Sequence, residues 1–355
     1  MHRVISPQPT VTPPPTARRV VYGVATFVVG LALAFAAGEI GTRAFDLLDH
    51  LNGYSRLLFV AGPSEELPYG MRPGVETTFV GARVRINQEG CRGPELDGSG
   101  RPRLLMLGDS VVFGQGVSED AAVSGRLAAA MPAWEVVNCG VPGFDTPTEA
   151  HQLAHLAPLV RPALTVVGLS LNDYDRAPRY HPLGVLSRAD DHSVPLVDRS
   201  EFLMLLRWLA TWARGGLWQQ KLEHSPDTPD AGGTREALDR LVATQHAAFY
   251  AKPDPVAWSR LETGLRELGK AAAAAHSELV VAIFPESWQM GPSSPDLRPQ
   301  QALLAACAAA GVRCVDLYPA FAAAGGDLFL DAQHPNARGH DVAASAIAAA
   351  LPRAA

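Results

Sequence analysis

Apolar residues are spread unevenly along this chain. Val20–Ala37 runs 18 positions without a charge (VVYGVATFVVGLALAFAA) and is apolar on every face. As a helix rising 1.5 Å per residue it would reach about 27 Å, enough for a bilayer core. Arg18 and Arg19 stand directly before it, which places the N-terminus in the cytoplasm and the rest of the chain outside. An uncleaved anchor and a signal peptide cut at the A-x-A site Ala34-Phe35-Ala36 both fit this pattern. A buried soluble helix fits less well, because the run is not only apolar on every face but also basic-flanked at the very N-terminus. Residues 1–19 hold five prolines and no acid, the composition of a disordered, polyproline-like cytoplasmic tail.

Residues 38–100 read as a membrane-proximal connector with two short strands, Val75–Val80 and Ala82–Asn87, around Gly81. From residue 101 the pattern changes. Short apolar runs at Arg103–Leu107, Glu135–Asn138, Leu164–Leu169, Glu278–Phe284 and Val312–Leu317 alternate with helical stretches. Those stretches are Ala121–Met131, Pro147–Leu159, Val256–His276, Pro299–Ala310 and His340–Leu351. Apolar strands alternating with helices predict an α/β fold: a three-layer sandwich with a five-stranded parallel sheet covered on both faces, here one domain over 101–355. The alternation breaks at 174–254, an insertion with no clear strand. It holds an apolar helix at Phe202–Trp212 and a loop at Glu223–Arg235. The insertion is expected to cap the sheet or cover a site. The apolar stripe of its helix suits core packing or membrane contact.

Composition narrows the function classes. With 30 basic and 36 acidic side chains the net charge is −6, which argues against non-specific nucleic-acid binding through a basic face. The first 38 residues carry three arginines and no acid, so the exported part is more acidic still. Four cysteines exclude a disulfide-built scaffold, and none has zinc-like spacing. Cys307 and Cys314 could pair in an oxidising compartment or lie as two buried thiols; Cys139 is expected to face the core. His151 and His155 share a helix face at i, i+4, which suits a metal pair or an ordinary surface pair, and no third ligand is evident. No cofactor-binding set is read.

Three polar clusters fall at strand ends or in the last loop, where open α/β sheets place ligands. Ser110 follows the first strand in GDSVVFGQG and could be a nucleophile or simply cap the next helix. Asp331 precedes His334 by three residues, a spacing that lets the carboxylate accept the imidazole Nδ1–H and leaves Nε2 as a base. Gly140 lacks a Cβ and can bring its N–H close to a reacting carbonyl. Asn172, after the third strand, can aim its amide at the same point.

Together these residues resemble the SGNH (GDSL-type) hydrolase superfamily. Gly108-Asp109-Ser110 with Gly114 matches its first block, Asn138-Cys139-Gly140-Val141-Pro142-Gly143 its second, Asn172-Asp173 its third and Asp331-x-x-His334 its fifth. The resemblance implies Ser110 as nucleophile, His334 as general base and acid, and Asp331 as orienter. It also implies an oxyanion hole from the Ser110 and Gly140 N–H groups and the Asn172 side chain, in a flavodoxin-like fold. The third block usually reads G-x-N-D, and Ser170 stands where that glycine would be. Ser170 is also a rival nucleophile in Gly168-Leu169-Ser170-Leu171-Asn172, nearly a G-x-S-x-G elbow. Residues 86–93 (INQEGCRG) resemble the stretch before the hydrolase domain in membrane-anchored bacterial members. The expected protein is a membrane-anchored, extracytoplasmic esterase acting on a small-molecule or carbohydrate ester. An acyltransferase on an envelope polysaccharide and a non-catalytic binding module remain as alternatives.

Overall fold

The structure, a computed structural model, describes residues 15–45, 47, 58–180, 186–187, 200–213, 232–291 and 295–351. The proline-rich tail before residue 15 and most of the loop expected at 223–235 lie outside these residues.

Helix α1 spans Pro15–Ala44 and contains the apolar run; its mid-helix residues face outward along the whole run, with Phe27 71% exposed. Two antiparallel hairpins follow. β1 (Phe59–Ala61) pairs with β2 (Tyr69–Met71), and β3 (Glu76–Phe79) with β4 (Ala82–Arg85). The hairpin expected around Gly81 is therefore present.

The central sheet is built from β5 (Arg103–Gly108), β6 (Glu135–Asn138), β7 (Leu164–Leu169), β10 (Glu278–Ile283) and β11 (Arg313–Asp316), after the short pair β8 (Arg179–Tyr180) and β9 (Leu186–Ser187). All its pairings are parallel and its order is β11-β10-β7-β5-β6. Side chains alternate across each strand, as the pleat requires. Leu105, Leu107, Val167 and Ile283 face one core, with Leu153, Leu265 and Leu303. Leu104, Met106, Val166 and Val280 face the other, with Leu127, Phe321 and Ile347. The helices behind these residues are α3 (Val123–Ala130), α4 (Thr146–Val160), α7 (Pro255–Ala274), α8 (Arg298–Ala310), α9 (Tyr318–Ala324) and α10 (Ala337–Ala350). A buried layer on each face gives the expected three-layer α/β sandwich. From β5 the chain steps outward to β6, then returns to the far side of β5 as β7. That reversal opens the crevice where such sheets bind ligands.

Three local expectations change. Residues 232–235 belong to a helix, α6 (Gly232–Ala251), rather than a loop; its glycine pair signals a break, but the strong helix formers after it outweigh that signal. The last helix begins at Ala337, not His340, because the Asn336 side chain accepts the N–H groups of Arg338 and Gly339. All four cysteines are paired, Cys307 with Cys314 and Cys91 with Cys139; Cys139 is buried as expected, but as half of a bridge.

That second bridge helps to fasten the hairpin region to the sheet. Phe59, Tyr69, Phe79 and Ile86 form one buried cluster with Phe113, Val141 and Phe144. Arg92 sits at its edge and is almost fully buried. Its guanidinium donates to the carbonyls of Phe113, Gly114 and Val117, each at 2.7 Å, and lies over the Phe113 ring. Burial pulls it down to about 10, still charged at neutral pH.

Candidate active site

β5 ends at Gly108, whose neighbour across the ladder is Gly168 of β7. Neither can carry a side chain, since a Cβ on either would come within 2.3 Å of the Val112 methyl. The glycine pair thus lets the short helix α2 (Ser110–Phe113) seat directly on the strand ends. Asp109 caps α2 by accepting the Val111 N–H at 2.9 Å. Ser110 is therefore not the cap; its hydroxyl is free to face the crevice. Arg92 holds the carbonyls at the other end of the same turn.

The Ser110 Oγ lies 2.8 Å from His334 Nε2. His334 Nδ1 lies 2.8 Å from Asp331 Oδ2 and 3.0 Å from Oδ1. Asp331 Oδ1 also accepts the N–H groups of Gln333 and His334. Burial pushes the Asp331 carboxyl up, but the neighbouring imidazole and these hydrogen bonds outweigh it and hold it at about 2. The three residues expected to act together are brought together from the end of β5 and the loop before α10.

The three expected oxyanion donors differ in their engagement. The Ser110 N–H occupies the first position of α2, where a helix leaves its donors unpaired, and no hydrogen bond from it occurs among the described residues. The Asn172 side chain lies just beyond β7, and its Oδ1 is buried without a partner. Gly140 is pressed against α2, where a Cβ would come within 2.5 Å of the Phe113 nitrogen. Its N–H already donates to Asn138 Oδ1 at 3.0 Å. Asn138 is fixed in turn by donating to the Val112 carbonyl and Ser124 Oγ.

Ser170 does not serve as a nucleophile elbow. It is buried and donates to Asp109 Oδ1 at 3.0 Å. The hydroxyl in place of the family's glycine thus satisfies the buried carboxylate that caps α2. Burial raises Asp109 above the usual carboxylate range. The same holds more strongly for Asp173 and Glu149, where burial and then the neighbouring carboxylates favour the protonated forms.

A second carboxylate–imidazole pair was not foreseen. His246 of α6 lies 2.8 Å from Glu286 Oε2, after β10. Glu286 also accepts from Trp288 Nε1 and Gln333 Nε2. Gln333 therefore touches both pairs, its backbone on Asp331 and its side chain on Glu286. Tyr250, one turn beyond His246, donates to the Leu171 carbonyl. No sequence spacing signals this pair, because its members lie 40 residues apart on elements of different type. His151 and His155 are exposed, and no group of three metal-ligating side chains occurs among the described residues.

Residues 106–342 match the profile of the GDSL-like lipase/acylhydrolase family. No curated protein matches the sequence. Among solved structures, TesA is 14% identical and covers 70% of this chain and 98% of its own, with a TM-score of 0.41. A lipolytic G-D-S-L family protein from Veillonella parvula is 13% identical over 71% of this chain and 99% of its own, also at 0.41. The acetylxylan esterase Axe2 from Geobacillus stearothermophilus is 18% identical over 70% of this chain and 93% of its own, at 0.35.

Proposed function

Because the chain belongs to the GDSL-like lipase/acylhydrolase family and is a hydrolase of ester bonds, we propose that Ser110, His334 and Asp331 carry out that hydrolysis on the extracytoplasmic side of a membrane that α1 crosses. The substrate is an O-acyl ester carried by an envelope carbohydrate or lipid. The observation that carries this reading is the continuous hydrogen-bonded path from Ser110 Oγ through His334 to Asp331.

In the proposed reaction Ser110 Oγ attacks the ester carbonyl while His334 Nε2 takes its proton. Asp331 fixes the imidazole tautomer and stabilises the imidazolium that forms. The Ser110 N–H and the Asn172 amide face the developing oxyanion, and Gly140 joins by sharing the N–H that Asn138 holds in the free enzyme. A half-turn about χ2 exchanges the Asn172 oxygen for its NH2. The tetrahedral intermediate collapses as His334 returns the proton to the leaving alcohol. Water then attacks the acyl-enzyme, giving its proton to His334, and deacylation releases the acid and restores Ser110. Membrane attachment fits the long exposed apolar helix and its flanking arginines.

A fluorophosphonate tests the assignment directly. Folded wild-type protein should gain one adduct on Ser110, and Ser110→Ala should gain none and lose hydrolysis of a panel of acyl esters and acetylated sugars. Equal turnover in both proteins would remove Ser110 as nucleophile, and an unlabelled, inactive wild type would point to a binding module.

A further inference from the structure

We infer that the insertion helix α5 (Glu201–Ala213) is a second membrane-embedded element, seated in the interfacial layer of the bilayer beside α1; the inference rests on the reading of α1 as an anchor. Positions 202–206 are Phe, Leu, Met, Leu and Leu, and 209 is Leu. Five successive apolar positions wrap more than a full turn, so no polar face is left over them for water. Of the described elements, α1 is the one that α5 packs against closely, and α1 is itself exposed and apolar. Leu206 and Leu209 stay 43% and 41% exposed. Two such helices covering one another, with no sheet or further helix packed closely over them among the described residues, call for an apolar solvent.

The junction between them is built rather than incidental. Gly38 of α1 lies under the Phe202 ring, where a Cβ would come within 2.7 Å of three ring carbons. Small residues of this kind let helices approach closely in lipid. Phe35 meets the same ring edge-on. One turn on, Glu39 accepts from Ser200 Oγ at 2.7 Å and from the N–H groups of Glu201 and Phe202, capping α5. Arg43 pairs with Glu39, and Thr42 is buried beside them. This polar band marks the level at which α1 leaves the hydrocarbon, and α5 starts from that level.

Length decides how α5 sits. Its 13 residues extend about 20 Å, short of the roughly 30 Å hydrocarbon core. It therefore does not span. A helix of this length, apolar over its first turns, suits the interfacial layer.

The test uses the full-length chain in phosphatidylcholine–phosphatidylglycerol vesicles. All four native cysteines are paired, so single cysteines at Leu206→Cys and Leu209→Cys can carry an environment-sensitive fluorophore. Val28→Cys in α1 reports the anchor, and Leu159→Cys on α4 reports water. Retained ester hydrolysis shows that each labelled protein is folded. Positions 206 and 209 should be quenched by brominated lipid and protected several-fold from iodide relative to 159, as position 28 is. If 28 lies in lipid while 206 and 209 behave as 159, the inference fails and the anchor stands. If 28 also lies in water, both readings fall together.

Discussion

Two carboxylate–imidazole pairs sit side by side in this molecule with the same contact geometry. In each, a carboxylate oxygen lies 2.8 Å from a histidine Nδ1. What differs is access and the use of the second nitrogen. The His334 and Asp331 side chains are 13% and 30% exposed, and His334 Nε2 meets a serine hydroxyl at the crevice. The His246 and Glu286 side chains are 7% and 4% exposed, and the Tyr174 ring stands perpendicular to the His246 imidazole. A carboxylate beside an imidazole is thus no signature of catalysis by itself; what it faces and whether substrate can reach it decide its role. The first pair is local, made within one turn of loop. The second ties the insertion helix α6 to the loop after β10 and, through Gln333, to the first pair.

The largest expected effect breaks the first pair. Asp331→Asn keeps the shape but removes the charge and favours the wrong imidazole tautomer, so kcat should fall about 10⁴-fold while the fold survives. Steady-state kinetics on protein that still unfolds in one cooperative thermal transition would show this. A loss below tenfold would mean that Asp331 does not orient His334.

Breaking the second pair should reverse the balance. His246→Gln leaves the Glu286 carboxylate buried without its imidazole partner, at a cost on the order of 3–5 kcal/mol of stability, with kcat reduced far less than in Asp331→Asn. The pH windows also oppose each other. Burial lowers His246, but the attraction and hydrogen bond of Glu286, with Asp175 beyond, outweigh it and raise it overall. A raised histidine contributes stability that is full below its unfolded pKa of about 6.5 and is lost as pH rises through the folded value. Asp331 is depressed, so its contribution is full above about 3.9 and is lost as pH falls through about 2. The deficit of His246→Gln against wild type should therefore shrink as pH is raised, and that of Asp331→Asn should shrink only in strong acid. Thermal melts across pH would check both, and a His246→Gln deficit that is flat or grows with pH would dissolve the contrast.

The two pairs were unequally legible for the same reason. Strands β5, β6, β7 and β10 stand out as apolar runs, and Asp331 and His334 as a three-residue spacing, because each is written in neighbouring residues. Gly140 and Asn172 were readable as strand-end positions, but not that Asn138 already holds the Gly140 N–H. The Cys91–Cys139 bridge, the burial of Arg92 under the end of α2 and the His246–Glu286 pair are contacts over 21 to 48 residues. Helix α6 begins with two glycines and hides its one buried histidine among ordinary helix formers. Only the folded topology brings these residues together.

Ser170 gives the smallest effect and the finest test of what surrounds the first pair. The family's glycine at this position offers no hydroxyl, whereas Ser170 donates to the Asp109 carboxylate that caps α2 beneath Ser110. Ser170→Gly removes that donor from a buried acceptor, which should cost about 1–3 kcal/mol. The Val111 N–H still holds the other contact, so α2 should keep its place and kcat should change by only a few-fold. A melt shows the stability loss, and kinetics on the same sample show whether the nucleophile has moved. A loss of activity as large as that of Asp331→Asn would make Ser170 part of the first pair's machinery rather than a support for the cap under it.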